Sequence, residues 1–136
     1  MIKKTLIIGS GSIAKKHKKV LHEINKNIKL LLVPTRKFNK YKPKDFNRLI
    51  NFNADYILIC SPSTYHYKHF QLIEKYFKKK TVLIEKPLFS SYRKLKRTFK
   101  NKYFIGYNLR FHPIIKFVKN YIKGKKIYFV RVNCSS

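Results

Sequence analysis

Acidic residues are what this chain has least of: five Asp and Glu against 33 Lys and Arg in 136 residues, a formal net charge of +28. Cysteine is nearly as scarce. Cys60 and Cys134 form no CxxC pair and are too few for a disulfide framework, which fits a reducing compartment. Long apolar runs are missing as well. After Met1-Ile2-Lys3-Lys4 the apolar stretch stops at Gly9, and Leu30 to Val33 is only strand-sized. A signal peptide needs about 7–15 apolar residues and a membrane span about 20, so the chain reads as soluble and cytoplasmic, with no membrane partner. There are no repeats, no low-complexity tracts and no metal-ligand cluster. His66 and His69 stand three apart without partner cysteines, which is a weak zinc signal, and no metal is expected.

What is present argues for a packed domain. Hydrophobic residues make up 44% and aromatics 15%, enough to build a core in a chain of this size. The positive charge would ordinarily point to a polyanion. Here, however, it is carried by 27 Lys and 6 Arg spread over almost every segment. Arg is the residue that bidentate phosphate and base recognition favours. The surplus of Lys with Ile, Asn, Tyr and Phe also matches a biased codon composition, so specific nucleic-acid binding is not expected.

Short apolar runs alternate with helix-spaced segments. Thr5–Ile8, Ile28–Val33, Tyr56–Cys60, Val82–Ile84 and Tyr103–Ile105 read as buried strands. Ser12–Asn25, a short helix opened by Pro43, Tyr65–Phe77, Tyr92–Phe99 (capped by Ser90-Ser91) and Ile114–Ile122 read as helices. Thr35–Lys42 reads as a polar loop, and Lys126–Val132 alternates like a half-exposed strand. The pattern predicts an α/β, Rossmann-type doubly wound parallel sheet.

Gly9-Ser10-Gly11-Ser12-Ile13-Ala14 follows the first strand and opens the first helix. Those residue types fit a dinucleotide site. Gly9 permits the tight turn, Gly11 lets backbone approach a pyrophosphate, and Ala14 lets the helix pack closely on the strand. The helix N-terminus offers unpaired N–H groups to the phosphates. An NAD site also places an acid after the second strand, on the ribose 2′-hydroxyl. Between Glu23 and Asp45 there is none. Thr35 and Arg36 stand there instead, and Arg36 can clamp a 2′-phosphate, which favours NADP over NAD. Ser61-Pro62-Ser63-Thr64-Tyr65-His66 and Glu85-Lys86-Pro87 follow the third and fourth strands, at the sheet edge where ligands bind in such folds. A Lys at that edge can ease proton loss from a substrate hydroxyl.

Gly9-x-Gly11-x-x-Ala14-x-x-His17, Ser61-Pro62-x-x-x-His66, Glu85-Lys86-Pro87 and Gly106-Tyr107-Asn108-Leu109-Arg110-Phe111-His112-Pro113, in that order, resemble the Gfo/Idh/MocA oxidoreductases. That family includes glucose–fructose oxidoreductase and inositol dehydrogenase, and the likeness covers Ile2 to Pro113. It implies an NAD(P)-binding Rossmann domain over residues 1–110. Residues 111–136 would be a linker helix and the first strand of an incomplete substrate domain. The resemblance also implies roles for single residues. Lys86 would sit beside nicotinamide and substrate as the catalytic lysine, the turn from Ser61 through Pro62 and Ser63 to His66 would pass along the cofactor with Glu85, and Arg110 would lie near the nicotinamide. Members of the family are much longer, so the chain is expected to be a truncated or split NAD(P)-dependent oxidoreductase. Hydride transfer on a sugar-like or cyclitol hydroxyl would then await a complete second domain, from a complementing chain or homo-oligomer. Two other readings stay open: a non-catalytic nucleotide-binding module, and a basic RNA-associated protein on a Rossmann scaffold.

Overall fold

The computed structural model describes residues 3–95 and 98–133. They divide into two units, Met1–Gly106 and Tyr107–Ser136. The first holds five strands: β1 (Lys4–Ile8), β2 (Lys29–Val33), β3 (Tyr56–Ile59), β4 (Thr81–Ile84) and β5 (Lys102–Ile105). Its helices are α1 (Ser12–Ile24), α2 (Thr35–Phe38), α3 (Pro43–Phe52) and α4 (Ser63–Tyr76). All five strands run parallel in the order β2-β1-β3-β4-β5, the α/β Rossmann-type sheet that the alternation predicts.

Register explains how the two faces are used. Leu31, Leu6, Ile57, Val82 and Tyr103 lie in one row across all five strands. They face a core completed by Phe38 of α2, Phe46 and Leu49 of α3, and Phe70 and Ile73 of α4. One residue further along, Leu32, Ile7, Leu58, Leu83 and Phe104 form the next row, pointing the other way because side chains alternate along a strand. Here α1 contributes Ala14 and Leu21 over Ile7 and Leu58. The row is sealed only in its middle: Leu32 is 37% and Phe104 43% exposed at its two ends.

Three expected elements differ. The Thr35–Lys42 loop contains α2, because Phe38 turns inward against Phe46 and His69. Residues 92–95 and 98–99 are not helical, and residues 96 and 97 lie outside the described set. A helix there would stack Arg93 on Arg97 and Lys96 on Lys100 at i,i+4 spacing, with no acid to offset the repulsion. Lys126–Val132 carries no strand, since a single alternating segment has no ladder unless a neighbour pairs with it.

The second unit holds a 3₁₀ turn (Asn108–Phe111) and helix α5 (Pro113–Tyr121). Nδ1 of His112 caps α5 by accepting from the Ile114 N–H. Among the described residues no helix is long and apolar enough to cross a membrane.

Candidate functional site

Order β2-β1-β3 means that the chain leaves β1 toward one side and returns to pair on the other. Open parallel sheets bind ligands at that switch point, outside the carboxyl ends of the strands. Gly9 turns the chain there, its N–H donating to the Val33 carbonyl at 2.8 Å. Its φ is +121°, and a Cβ would lie 2.5 Å from the Cys60 carbonyl oxygen, so both conformation and space require glycine. Gly11 differs: its φ is −72° and a Cβ would meet nothing within 4 Å. It borders open space. Gly11 precedes α1 with no side-chain cap, which leaves first-turn N–H groups available at the positive end of a 13-residue helix. Ala14, fully buried, is the close contact between helix and sheet.

A cleft of about 400 Å³ opens at this point, lined by Ser10, Gly11, Ser12, Ile13, Thr35, Cys60, Ser61 and Pro62. Backbone and small polar groups on its walls suit phosphate and ribose oxygens. A larger cavity of about 650 Å³ lies along α4 beside Tyr67, Phe70 and Phe99. Convergent donors at the strand tips, rather than volume, select the smaller one.

Lys86 follows β4 on the same sheet edge and is exposed. Both of its neighbours are held. Glu85 accepts a 2.6 Å hydrogen bond from Nε2 of His17 on α1, and its carboxyl packs so near Gly106 that a Cβ there would sit 3.1 Å from Oε2. On the other side, Nδ1 of His66 lies 2.8 Å from the Pro87 carbonyl oxygen and 3.2 Å from that of Leu88. His66 Nε2 lies 2.8 Å from the carbonyl oxygen of Ser61.

The model of the Gfo/Idh/MocA family, an oxidoreductase family with an NAD-binding Rossmann fold, matches residues 3–102. The chain belongs to this family. No curated protein and no solved structure matches it. Membership makes the glycine turn and its cleft part of an NAD-binding oxidoreductase-family domain, and the match spans β1 to β4 and reaches the first residue of β5.

The expected site residues of this Gfo/Idh/MocA family member fall into four groups. Ser10, Gly11, Ser12, Ile13, Thr35, Ser61 and Pro62 are brought together around the cleft, whereas Gly9 and Ala14 shape it from behind. Ser63 begins α4, Arg36 is exposed next to Thr35, and Glu85 and Lys86 follow β4; none of these lines the cleft. Arg110 belongs to the second unit, where its Nε donates to the Tyr107 carbonyl. His66 does not line the cleft: at 1% exposure, its two ring nitrogens lie against carbonyl oxygens of the turns after β3 and β4.

Three side chains outside the expected set also matter. His17 stood in the resemblance pattern without a role, and only its 68-residue reach to Glu85 gives it one. Cys60 lines the cleft as a buried thiol whose pKa is pushed up to about 12 by burial, then by the Glu85 charge, so it is no nucleophile. Behind the cleft, His69 Nε2 meets Asn39 Oδ1 at 2.8 Å and Nδ1 meets Ser61 Oγ at 2.9 Å. Burial lowers the His69 pKa to about 4.

Scarce acids are committed elsewhere. Asp45 accepts from the Lys42 N–H at the start of α3, and Asp55 accepts from Lys3 and Lys4 N–H groups, which lowers its pKa. Glu74 accepts from the Lys100 N–H, Asn101 Nδ2 and Tyr103 Oη. Glu23 pairs with Lys19 on α1. None of the five follows β2, so nothing there repels a 2′-phosphate.

Proposed function

We propose that the first unit binds NADP(H) in preference to NAD(H) and serves an oxidoreductase acting on a sugar-like or cyclitol hydroxyl. The cleft at the β1/β3 switch point carries this reading: its shape, its glycines and the uncapped N-terminus of α1 fit a dinucleotide diphosphate. Ser10, Gly11, Ser12 and Ile13 would hold the phosphates through backbone N–H groups. Thr35 and Arg36 would take the 2′-phosphate, as neighbours on the first turn of α2 with no acid beside them. Ser61, Pro62 and Ser63 would border the cofactor's middle. When bound, the nicotinamide supplies a hydride acceptor or donor.

The protein's own share is orientation and a proton. Lys86, exposed at the tip of β4, would be the catalytic residue whose ammonium steadies the developing alkoxide of the substrate and eases its proton away. Glu85 would hold the start of that turn through His17 rather than bind the cofactor alone. Arg110 would serve the nicotinamide end, as the family resemblance implies.

Gly11→Val separates binding from folding. The new side chain enters open space at a backbone angle that valine adopts, so the thermal midpoint should stay within about 2 °C for a change under 0.5 kcal/mol. It would, however, occupy the phosphate position. NADPH affinity, measured by calorimetry, should fall at least about tenfold, or about 1.4 kcal/mol. Unchanged affinity would overturn the placement of the cofactor.

A further inference from the structure

Lys86 carries a long flexible side chain on an exposed turn, and although Pro87 restricts the backbone locally, the turn's own sequence does not fix where it sits on the sheet edge. Its surroundings do. The carbonyl oxygen of Pro87, the residue after Lys86, lies 2.8 Å from Nδ1 of His66, and the Ser61 carbonyl lies 2.8 Å from Nε2 of the same ring. His66 is buried in the first turns of α4. One imidazole thus bridges the turn after β3 to the turn after β4. Ser61 in turn meets His69 through its hydroxyl, and His69 reaches Asn39 just past α2. The end of α2 and the turns after β3 and β4 are therefore linked through the buried side chains of Ser61, His66 and His69. Carbonyl oxygens only accept, so each contact of His66 requires a ring N–H, and a neutral ring satisfies one side at a time.

We infer that His66 is a positioning residue for Lys86, anchoring the Lys86 turn through its Nδ1 contact with the Pro87 carbonyl. This rests on reading Lys86 as the group beside the cofactor's reactive end. An anchor of this kind confines the backbone on which the ammonium is carried, and a side chain displaced by about 1 Å loses much of its effect on a bound reactant. It adds no contact to the cofactor, so it acts on the orientation of Lys86 rather than on affinity.

Two substitutions divide the ring between its ends. Asn places an amide N–H donor near the position of Nδ1, and Gln places one near the position of Nε2. His66→Asn keeps the link to Pro87 and gives up Ser61; His66→Gln does the reverse. The readout is the 13C-methyl signal of Lys86 in the reductively methylated full chain, assigned by its loss in Lys86→Arg, before and after saturation with NADP+. In the native chain the signal should shift. His66→Asn should retain more than about half of that shift, and His66→Gln less than about a quarter. Both should bind NADP+ within about threefold of the native affinity. Equal shifts in the two variants overturn the inference, because a role in stability alone does not distinguish the two ends of the ring. If one variant fails to fold, His17→Asn, whose amide sits near Nδ1 and gives up the Nε2 contact with Glu85, tests the other neighbour of Lys86: a Lys86 shift as small as that expected of His66→Gln supports anchoring from the flanks, and a native shift in it overturns that mechanism. A native chain that binds NADP+ without moving the Lys86 signal overturns the reading of Lys86 itself, an outcome distinct from native response with equal variants.

Discussion

Phe46 in the first unit is 1% exposed, whereas Phe117 in the second is 68% exposed, although both sit on amphipathic helices of similar length and α5 is the more apolar of the two. Phe46 stacks on Tyr76 at 4.0 Å and meets Phe38 edge-on. Phe117 has Tyr121 beside it on its own helix. Among the described residues of the second unit none is buried. An apolar helical stripe becomes a core only when a sheet row lies opposite it, and the row Leu31-Leu6-Ile57-Val82-Tyr103 supplies that to α3 and α4. Hydrophobic content is therefore a poor guide to order in this chain; a paired strand is the better one.

The largest effect expected from breaking this contrast is at Phe46. Phe46→Ala should cost about 3–5 kcal/mol of stability in denaturant unfolding, and Phe117→Ala less than about 0.5 kcal/mol. Comparable losses would mean that the second unit packs as a core does. Next in size is the glycine pair. Gly9→Ala forces a Cβ against the Cys60 carbonyl at a positive φ and should cost about 3 kcal/mol or more, while Gly11→Ala should be nearly neutral. A tolerated Gly9→Ala would show that the β1–α1 turn can move away from β3.

His69 gives a smaller, pH-dependent effect confined to the first unit. Its folded pKa, about 4, is below the ordinary 6.5, so the unfolded chain binds more protons between those values. Stability from the neutral ring is complete above about pH 6.5 and is lost as pH falls toward 4, by up to roughly 3 kcal/mol. His69→Leu should flatten that part of the pH–stability curve. An unchanged slope would assign the acid loss to other groups.

The sequence made much of the first unit legible, and the reasons are local. Parallel strands leave continuous apolar runs, and all five were readable; α1 and α4 followed from helical spacing, and α3 from the proline that opens it. The glycine turn was readable because its chemistry lies within six consecutive residues. What escaped depends on neighbours far along the chain. His66 reads as a cleft residue until Pro87, 21 residues on, comes to its ring. The pairing of His17 with Glu85 spans 68 residues. The Ser90-Ser91 cap signal for a helix at Tyr92–Phe99 is local and takes no account of the like charges a helix would stack there, and the alternation of Lys126–Val132 specifies a strand only where another strand pairs with it.

What the first unit's cleft holds decides the cofactor reading. Calorimetric titration of the full chain with NADPH and with NADH, repeated on Arg36→Ala, tests it most directly. NADPH should bind more tightly to the native chain, and Arg36→Ala should narrow the difference by roughly 1–2 kcal/mol through loss of one charge-assisted contact. Equal affinities in the native chain, or a preference that Arg36→Ala leaves untouched, would contradict it.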